Sequence, residues 1–216
     1  MAGLSESENI TGLSIDQINK VFTKSDNYIE KLYIDIDTGK PVLEIKDDTD
    51  KRIEKDKKEC SKRAKTTFAN EKKKDNKAKL SCYRQYQDIY KVYKDGKFSR
   101  YIFPVVGKGL WSTLKGFAAV DASGEKVVGL TFYSHGETPG LGGEIDSVKF
   151  KSDWASQKVI YKDNKVALKV AKGVAKDKTY EVDGLSGATL TGNGVSDMME
   201  FWFGDYGYKK YLKGGT

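Results

Sequence analysis

The residues with the clearest chemical potential lie between positions 183 and 194. They read Asp183-Gly184-Leu185-Ser186-Gly187-Ala188-Thr189-Leu190-Thr191-Gly192-Asn193-Gly194. Hydroxyl groups can act as nucleophiles once they are activated, and glycines leave the backbone open to close approach by a ligand. When such a loop leads into a helix, the amides of the first helical turn can bind a phosphate group. The loop is therefore a candidate phosphate site.

The residues after this loop have the spacing of a buried helix face, i, i+3, i+4 and i+7. They are Val195, Met198, Met199 and Trp202. A purely structural interpretation is also open, because Thr191 or Asn193 could simply cap the helix N-terminus. The loop is neither a Walker A loop nor a GxGxxG turn. Spacing alone therefore favours the structural interpretation.

Composition and length describe a globular protein. The chain has 216 residues, of which 38% are hydrophobic and 12% aromatic, so it can bury a substantial core. No run reaches the roughly 18 apolar residues that a membrane-spanning helix needs, and Met1 does not open a signal peptide. We expect the chain as given to be soluble.

A lysine-rich segment carries most of the net charge of +7. Residues 46–79 hold 14 Lys and Arg against 8 Asp and Glu, with acids and bases interleaved at helical spacing. An apolar stripe of Ile53, Cys60, Ala64 and Phe68 predicts a helix that lies on the domain. A solvated outer face is the simplest interpretation, followed by an anionic membrane surface or an acidic partner protein. Nucleic acid is disfavoured, because no aromatic residues interleave with the lysines.

The two cysteines, Cys60 and Cys82, are too few and too far from other ligands for a zinc or iron–sulfur site. They could form one disulfide in an oxidising compartment or remain free thiols. We favour free thiols, because Cys60 fits within the apolar stripe.

The sequence pattern predicts an α+β fold, with a twisted, largely antiparallel sheet flanked by helices. Strands are predicted over 32–37, 41–45, 83–93, 99–106, 127–134 and 145–150, with a tight turn at Asp95-Gly96. Further strands are predicted within 159–170, with Asp163-Asn164 between two of them. A short helix is predicted from Ser14 to about Lys24, with Gln17 at the capping-box position. We divide the chain into an N-terminal region, 1–85, and a second domain, 86–216.

Three segments together resemble a known family. They are Gly107–Ser112, Glu137–Gly142 and Asp183–Val195, followed by a matching Phe201–Asp205. In this order they resemble NqrC, a component of the sodium-translocating NADH:quinone reductase, within the FMN-binding domain family, and the likeness covers roughly residues 88–212. Ser186-Gly187-Ala188-Thr189 resembles the flavinylation motif of that family. RnfG, a flavinylated component of the Rnf electron-transport complex, shares this motif and is the nearest alternative.

The resemblance implies a flavoprotein that carries electrons. FMN would be joined to Thr189 by a phosphoester, which a separate flavin transferase makes. The protein would pass single electrons from an iron–sulfur centre to another flavin among the other subunits of a bacterial inner-membrane complex, with its soluble domain on the periplasmic side. That family has an N-terminal membrane-spanning helix that is missing here, so we expect the sequence to begin after the anchor.

The resemblance also implies a set of FMN-binding residues around Thr189. They are Trp111, Ser112, Glu137, Thr138, Gly140, Leu141, Gly142, Lys172, Asp183, Ser186, Gly187, Ala188, Leu190 and Thr191.

Several of these residues have an expected role. Trp111, Thr138 and Leu141 would contact the isoalloxazine ring, and Glu137 or Glu144 would accept a flavin N–H. Lys172 would offset phosphate charge, Ser186 and amides near Thr191 would hold phosphate oxygens, and Asp183 would shape the loop. No metal ligand is expected.

Two rival functions remain open from the sequence. One is a non-redox binding domain that keeps the fold with Thr189 unmodified, and the other is a surface- or polyanion-binding protein that uses the lysine-rich helix. The sole histidine, His135, is expected to be structural, because one-electron transfer needs no general base.

Overall fold

A computed structural model describes residues 27–42 and 46–214. Its main feature is a seven-stranded sheet in the order β2-β1-β3-β4-β5-β6-β7, with every neighbouring pair antiparallel. The strands are β1 (Tyr28–Asp35), β2 (Lys40–Pro41), β3 (Tyr86–Lys94), β4 (Lys97–Lys108), β5 (Thr113–Asp121), β6 (Lys126–Ser134) and β7 (Lys158–Val159).

Helices and two small sheets complete the described part. The helices are α1 (Lys46–Thr67), α2 (Val148–Ala155), α3 (Thr189–Trp202) and α4 (Lys209–Leu212), with 3₁₀ turns at Asn70–Asp75 and Gly142–Asp146. One small sheet pairs β8 (Tyr161–Lys162) with β9 (Lys165–Val166), and the other pairs β10 (Lys169–Val170) with β11 (Glu181–Val182) in parallel. The α+β prediction with a mostly antiparallel sheet is confirmed.

Alternation and turn chemistry explain the central strands. In β5 the buried positions Leu114, Ala118 and Val120 are separated by even intervals, so their side chains share one face of the sheet. The turn between β3 and β4 has positive φ at Asp95 (51°) and Gly96 (70°), which suits a two-residue hairpin. The predicted tight turn is therefore present.

The core lies between one face of the sheet and the helices. Buried residues of α1, α2 and α3 join those of the strands in one hydrophobic cluster. Two aromatic side chains also tie the C-terminal end of the chain to β4. The indole of Trp202 donates to the carbonyl of Val106 at 2.7 Å, and the hydroxyl of Tyr208 donates to that of Pro104 at 2.6 Å. These bonds satisfy polar atoms inside an apolar region.

The apolar stripe is buried as predicted. Ile53, Cys60 and Ala64 in α1, and Phe68 just after it, are each less than 10% exposed. The prediction that both cysteines are free thiols is wrong, because Cys60 and Cys82 form a disulfide. The two sulfurs meet because the segment before β3 lies along α1, where the amide of Tyr83 donates to the carbonyl of Cys60 at 3.0 Å. The position of Cys60 in an apolar stripe therefore could not show whether it was a free thiol or part of a disulfide.

The predicted strand over 145–150 is also wrong. Those residues form the end of a 3₁₀ turn and the start of α2, where the hydroxyl of Ser147 accepts the amide of Phe150 at 3.2 Å. Phe150 and Trp154 then lie four residues apart and face the core. The stretch 145–150 is too short for its hydrophobic pattern to distinguish a helix from a buried strand.

Other predictions meet the structure only in part. The helix over 14–24 lies outside the described residues, as do residues 43–45 of the predicted second strand, although Pro41 pairs with Ile34. Strand β1 lies before the boundary we placed after residue 85, and it pairs with β3 along its whole length. Residues on both sides of that boundary therefore share one sheet. Within the described ranges, no helix has the length and apolar character needed to cross a membrane.

The disulfide predicts a measurable loss of stability when it is removed. It closes a loop between positions 22 residues apart, so its loss should lower the free energy of unfolding by about 3 kcal/mol. Urea unfolding of the Cys60→Ser/Cys82→Ser variant would measure this. Reductant should destabilise the parent protein by the same amount and leave the variant unchanged. Equal stability of the oxidised and reduced parent would contradict the prediction.

Candidate functional site

The exposed Thr189 is the first residue of α3, and no side chain caps the helix before it. Ala188 precedes the helix and offers no side-chain oxygen, so the first-turn amides are available to an outside acceptor such as a phosphate. The predicted buried face of the helix is confirmed, since Val195, Met198 and Met199 are fully buried and Trp202 is 4% exposed.

The structural capping roles considered for Thr191 and Asn193 are wrong. The helix begins two residues before Thr191, and the Thr191 hydroxyl donates to Oε2 of Glu137 at 2.7 Å instead. Asn193 lies in the second turn and is exposed.

The carboxylate of Glu137 holds the site together. Besides the Thr191 bond, it accepts the amides of Leu110 (3.2 Å), Trp111 (3.0 Å) and Ser112 (3.0 Å) and the hydroxyl of Ser112 (2.8 Å). Burial by itself raises the pKa of a carboxyl group. The hydroxyls of Thr191 and Ser112 and the loop amides bind the ionised form, however, and they bring the pKa of Glu137 below its ordinary value. Glu137 therefore joins α3 to the loop before β5 as a buried anion.

Close backbone approach around Glu137 depends on glycine. A Cβ on Gly142 would lie 2.5 Å from the hydroxyl of Thr191, and one on Gly109 would lie 2.6 Å from the Glu137 carboxylate. Any side chain at either position would push apart groups that now share hydrogen bonds. These two glycines of the motifs are thus needed for packing around the carboxylate.

Large apolar side chains are exposed around Thr189, on the neighbouring loops and in the first turn of α3. Trp111 is 68% exposed, Leu190 58% and Leu141 45%. Leu141 lies against the Thr189 loop, because a Cβ on Gly187 would be 2.9 Å from its Cδ2. Trp111 is held nearby because its backbone amide donates a hydrogen bond to the Glu137 carboxylate. Exposed apolar groups clustered beside a candidate phosphate site fit the flat ring of a cofactor.

The turn from Thr138 to Gly143 presents Leu141. The carbonyl of Thr138 accepts the amides of Leu141 (3.1 Å) and Gly143 (2.9 Å), and Gly140 has a φ of 74° that favours glycine. Thr138 and Gly140 are exposed on this turn. The turn therefore offers both a side-chain hydroxyl and open backbone near the apolar group.

Asp183 shapes the approach to the loop. Its carboxylate accepts the amide of Ala175 at 3.0 Å, and this bond lowers the pKa of Asp183. Its own amide donates to Asp153 at 2.7 Å. Asp153 in turn forms an ion pair with the buried Lys158 at 3.1 Å. Sequence reasoning missed Asp153 and Lys158, because neither lies in a recognisable motif.

The predicted site residues divide into two groups. The buried or half-buried group positions the loops and comprises Ser112, Glu137, Gly142, Asp183, Ala188 and Thr191. The exposed group is accessible to a ligand and comprises Trp111, Thr138, Gly140, Leu141, Lys172, Ser186, Gly187, Thr189 and Leu190. Lys172 lies beside the loop, where the neighbouring Gly173 carbonyl accepts the amide of Gly184 at 2.7 Å.

The single histidine is engaged structurally. Nε2 of His135 lies 2.7 Å from Oδ2 of Asp146, and Nδ1 accepts the amide of Glu137 at 3.2 Å. It therefore helps to fix the Glu137 backbone and is not aimed at Thr189.

Replacing Glu137 by glutamine should destabilise the fold. The amide group cannot accept all five donors that the carboxylate accepts and leaves some of them buried without a partner. We expect Glu137→Gln to lower the free energy of unfolding by about 2–3 kcal/mol. Urea denaturation measures this, and Glu144→Gln, at an exposed position, is the matched control. An equal loss of unfolding free energy in the two variants would contradict the central role assigned to the Glu137 carboxylate.

The same carboxylate predicts a pH dependence. The folded pKa of Glu137 is lower than its ordinary value of 4.5, so its contribution to stability is complete above pH 4.5. That contribution is lost as the pH falls from there through the folded pKa. The stability difference between the parent and Glu137→Gln should therefore shrink below pH 4.5. Unfolding curves of both proteins over a pH series would measure it, and a constant difference would contradict the prediction.

Comparison with known proteins agrees with this geometry. Residues 109–204 match the FMN-binding domain family. The NqrC component of the Na⁺-translocating NADH-quinone reductase of Vibrio parahaemolyticus is 40% identical over 186 residues, which cover 86% of this chain and 70% of that protein. Its Neisseria meningitidis counterpart is 38% identical over 196 residues, covering 90% of this chain and 72% of that protein.

Two solved structures are similar as well. The crystal structure of Shewanella oneidensis NqrC has a TM-score of 0.70 at 33% identity and covers 90% of this chain and 85% of that one. The corresponding protein from Parabacteroides distasonis has a TM-score of 0.60 at 26% identity, with 87% and 79% covered. The chain belongs to the NqrC family of the Na⁺-translocating NADH-quinone reductase, and it contains that family's FMN-binding domain.

Proposed function

We propose that this chain is the flavin-carrying subunit of a Na⁺-translocating NADH-quinone reductase, with FMN joined to Thr189 by a phosphoester. The observation that carries the proposal is the position of Thr189, which is exposed at an uncapped helix N-terminus beside exposed apolar side chains. A phosphate on its hydroxyl would meet the positive end of α3.

The surroundings of Thr189 favour modification by a separate enzyme. A threonine hydroxyl is a weak nucleophile unless a base activates it. The chain has one histidine, and both of its ring nitrogens are engaged with Asp146 and the Glu137 amide. Gly187 and Ala188 add little bulk beside the exposed threonine. A flavin transferase could therefore reach the hydroxyl and supply the missing base.

The residues around Thr189 fit the two ends of the cofactor differently. Trp111, Leu141 and Leu190 would cover part of the isoalloxazine ring, since their exposed apolar surface has no other role within the described site. Ser186 and Lys172, both exposed, would meet phosphate oxygens.

Glu137 has no free acceptor for a flavin N–H, because five donors already occupy its carboxylate. We therefore assign Glu137 a positioning role. Glu144, which is exposed, remains the candidate acceptor for a flavin N–H.

Bound FMN supplies one-electron chemistry, and the chain's residues hold it and leave an edge open to partners. We infer that the other subunits of a bacterial membrane complex provide those partners, an iron–sulfur centre on one side and a second flavin on the other. We place the domain on the periplasmic side. A covalent link prevents loss of the cofactor in that compartment.

Mass spectrometry after co-expression with a flavin transferase tests the attachment. We expect a mass gain of one FMN less one water, mapped to the peptide that contains Thr189. Thr189→Ala should abolish the gain and the yellow colour. Thr179→Ala, at an exposed position ten residues earlier and outside the motif, should retain the modification and serves as the matched control. An unmodified parent protein in the presence of active transferase would overturn the proposal.

A further inference from the structure

The outer face of α1 carries a straight row of lysines. They follow the spacing i, i+4, i+7, i+11 and i+14, which places them on one side of a helix. This lysine stripe comprises Lys51, Lys55, Lys58, Lys62 and Lys65, all exposed. It lies opposite the buried stripe of Ile53, Cys60 and Ala64. At 1.5 Å per residue the row is about 21 Å long.

The acids of α1 whose side chains the structure describes form no ion pair with the lysine stripe, including the exposed Glu59 four residues after Lys55. Both oxygens of Asp56 turn inward and accept the amides of Gln85 (2.9 Å) and Tyr86 (3.0 Å). Glu54 forms an ion pair at 2.6 Å with Lys57, which lies outside the stripe. Among the described side chains, 27–42 and 51–214, no carboxylate lies within ion-pair distance of the stripe lysines. The folded surface is therefore more basic than the interleaved sequence suggests.

The arginines of the same helix contact the domain instead. The guanidinium of Arg63 binds both oxygens of Asp37 at 2.7 and 2.9 Å and lies 5.0 Å from the ring centre of Tyr83. Arg52 donates to the hydroxyl of Tyr86 at 2.6 Å. The two arginines are thus engaged with the domain, whereas the stripe lysines are flexible point charges that face outward.

We propose that the lysine stripe docks this domain on an anionic lipid surface. A straight row of lysines on a convex helix face fits a flat, fluid layer of negative headgroups. The row contains no aromatic or apolar side chain that would enter the bilayer, so attachment is electrostatic and peripheral. An acidic protein partner would be recognised better by arginine forks, and those are used internally. This inference does not depend on the flavin.

Docking through the lysine stripe leaves the flavin site accessible. Phe68, just beyond α1, packs against Phe201 near the C-terminal end of α3, with ring centres 5.8 Å apart. Thr189 lies at the other end of the 14-residue helix, about 20 Å away. Further exposed lysines at 72, 73 and 74 continue the basic surface from the end of α1. A domain held in this way would be attached at one end of α3 and open at the other.

Vesicle sedimentation tests the proposal directly. The parent protein is mixed with vesicles of phosphatidylcholine alone or of phosphatidylcholine and phosphatidylglycerol at roughly two to one. We expect binding only to the anionic vesicles, with affinity falling as salt rises. Each neutralised lysine should weaken binding about fivefold, so Lys55→Gln/Lys58→Gln/Lys62→Gln should weaken it about 100-fold.

The matched control removes the same charge elsewhere. Lys94, Lys97 and Lys115 are exposed on β3, β4 and β5, and replacing all three by glutamine should reduce binding much less. Circular dichroism and thermal unfolding confirm that both variants fold. An equal loss in the two variants would mean a non-specific charge effect and would overturn the proposal. It would also fail if phosphatidylcholine vesicles bound equally well, or if the protein bound polyglutamate but no vesicle.

Discussion

The buried carboxylate of Glu137 is the interaction on which the site depends. It joins a loop at 110–112, its own turn and the helix residue Thr191, which are distant in the chain. A buried anion is costly unless hydrogen bonds surround it. Here every donor comes from a segment that must be in place for the site to exist. The energy that keeps the charge buried is therefore the same energy that assembles the loops around Thr189.

This arrangement also explains why Thr189 is available. Thr191 faces inward to Glu137, and Ala188 is buried beneath the helix start. Positions 189 and 190 then point outward by helical geometry. Because the Thr191 hydroxyl is bonded inside the protein, it cannot cap the amides of its own helix. The helix N-terminus stays open because Ala188, at the N-cap position, has no side-chain oxygen, and the Thr191 hydroxyl is bonded to Glu137 instead.

The sequence predicts some of this organisation and misses the rest for physical reasons. The buried face of α3 and the stripe of α1 follow from local periodicity, which needs no knowledge of the remaining fold. The role of Glu137 does not follow from the sequence. A glutamate in a glycine-rich motif suggests a cofactor-binding residue, and only the structure shows that hydrogen-bond donors of the protein already occupy its carboxylate. The Cys60–Cys82 disulfide depends on how the segment before β3 lies along α1. Asp153 meets the Asp183 amide only in three dimensions.

Both ends of α3 are fixed by directional hydrogen bonds as well as by packing. Aromatic rings surround its C-terminal end, where Phe201 lies between Phe68, Tyr83 and Tyr206. At the same end the indole of Trp202 donates to the carbonyl of Val106 at 2.7 Å. At the N-terminal end the hydroxyl of Thr191 donates to the Glu137 carboxylate at 2.7 Å. Aromatic packing alone tolerates small shifts of a helix along its axis, whereas directional bonds at both ends do not. A cofactor joined at residue 189 would therefore sit on a helix whose position is fixed, which limits its movement when its charge changes.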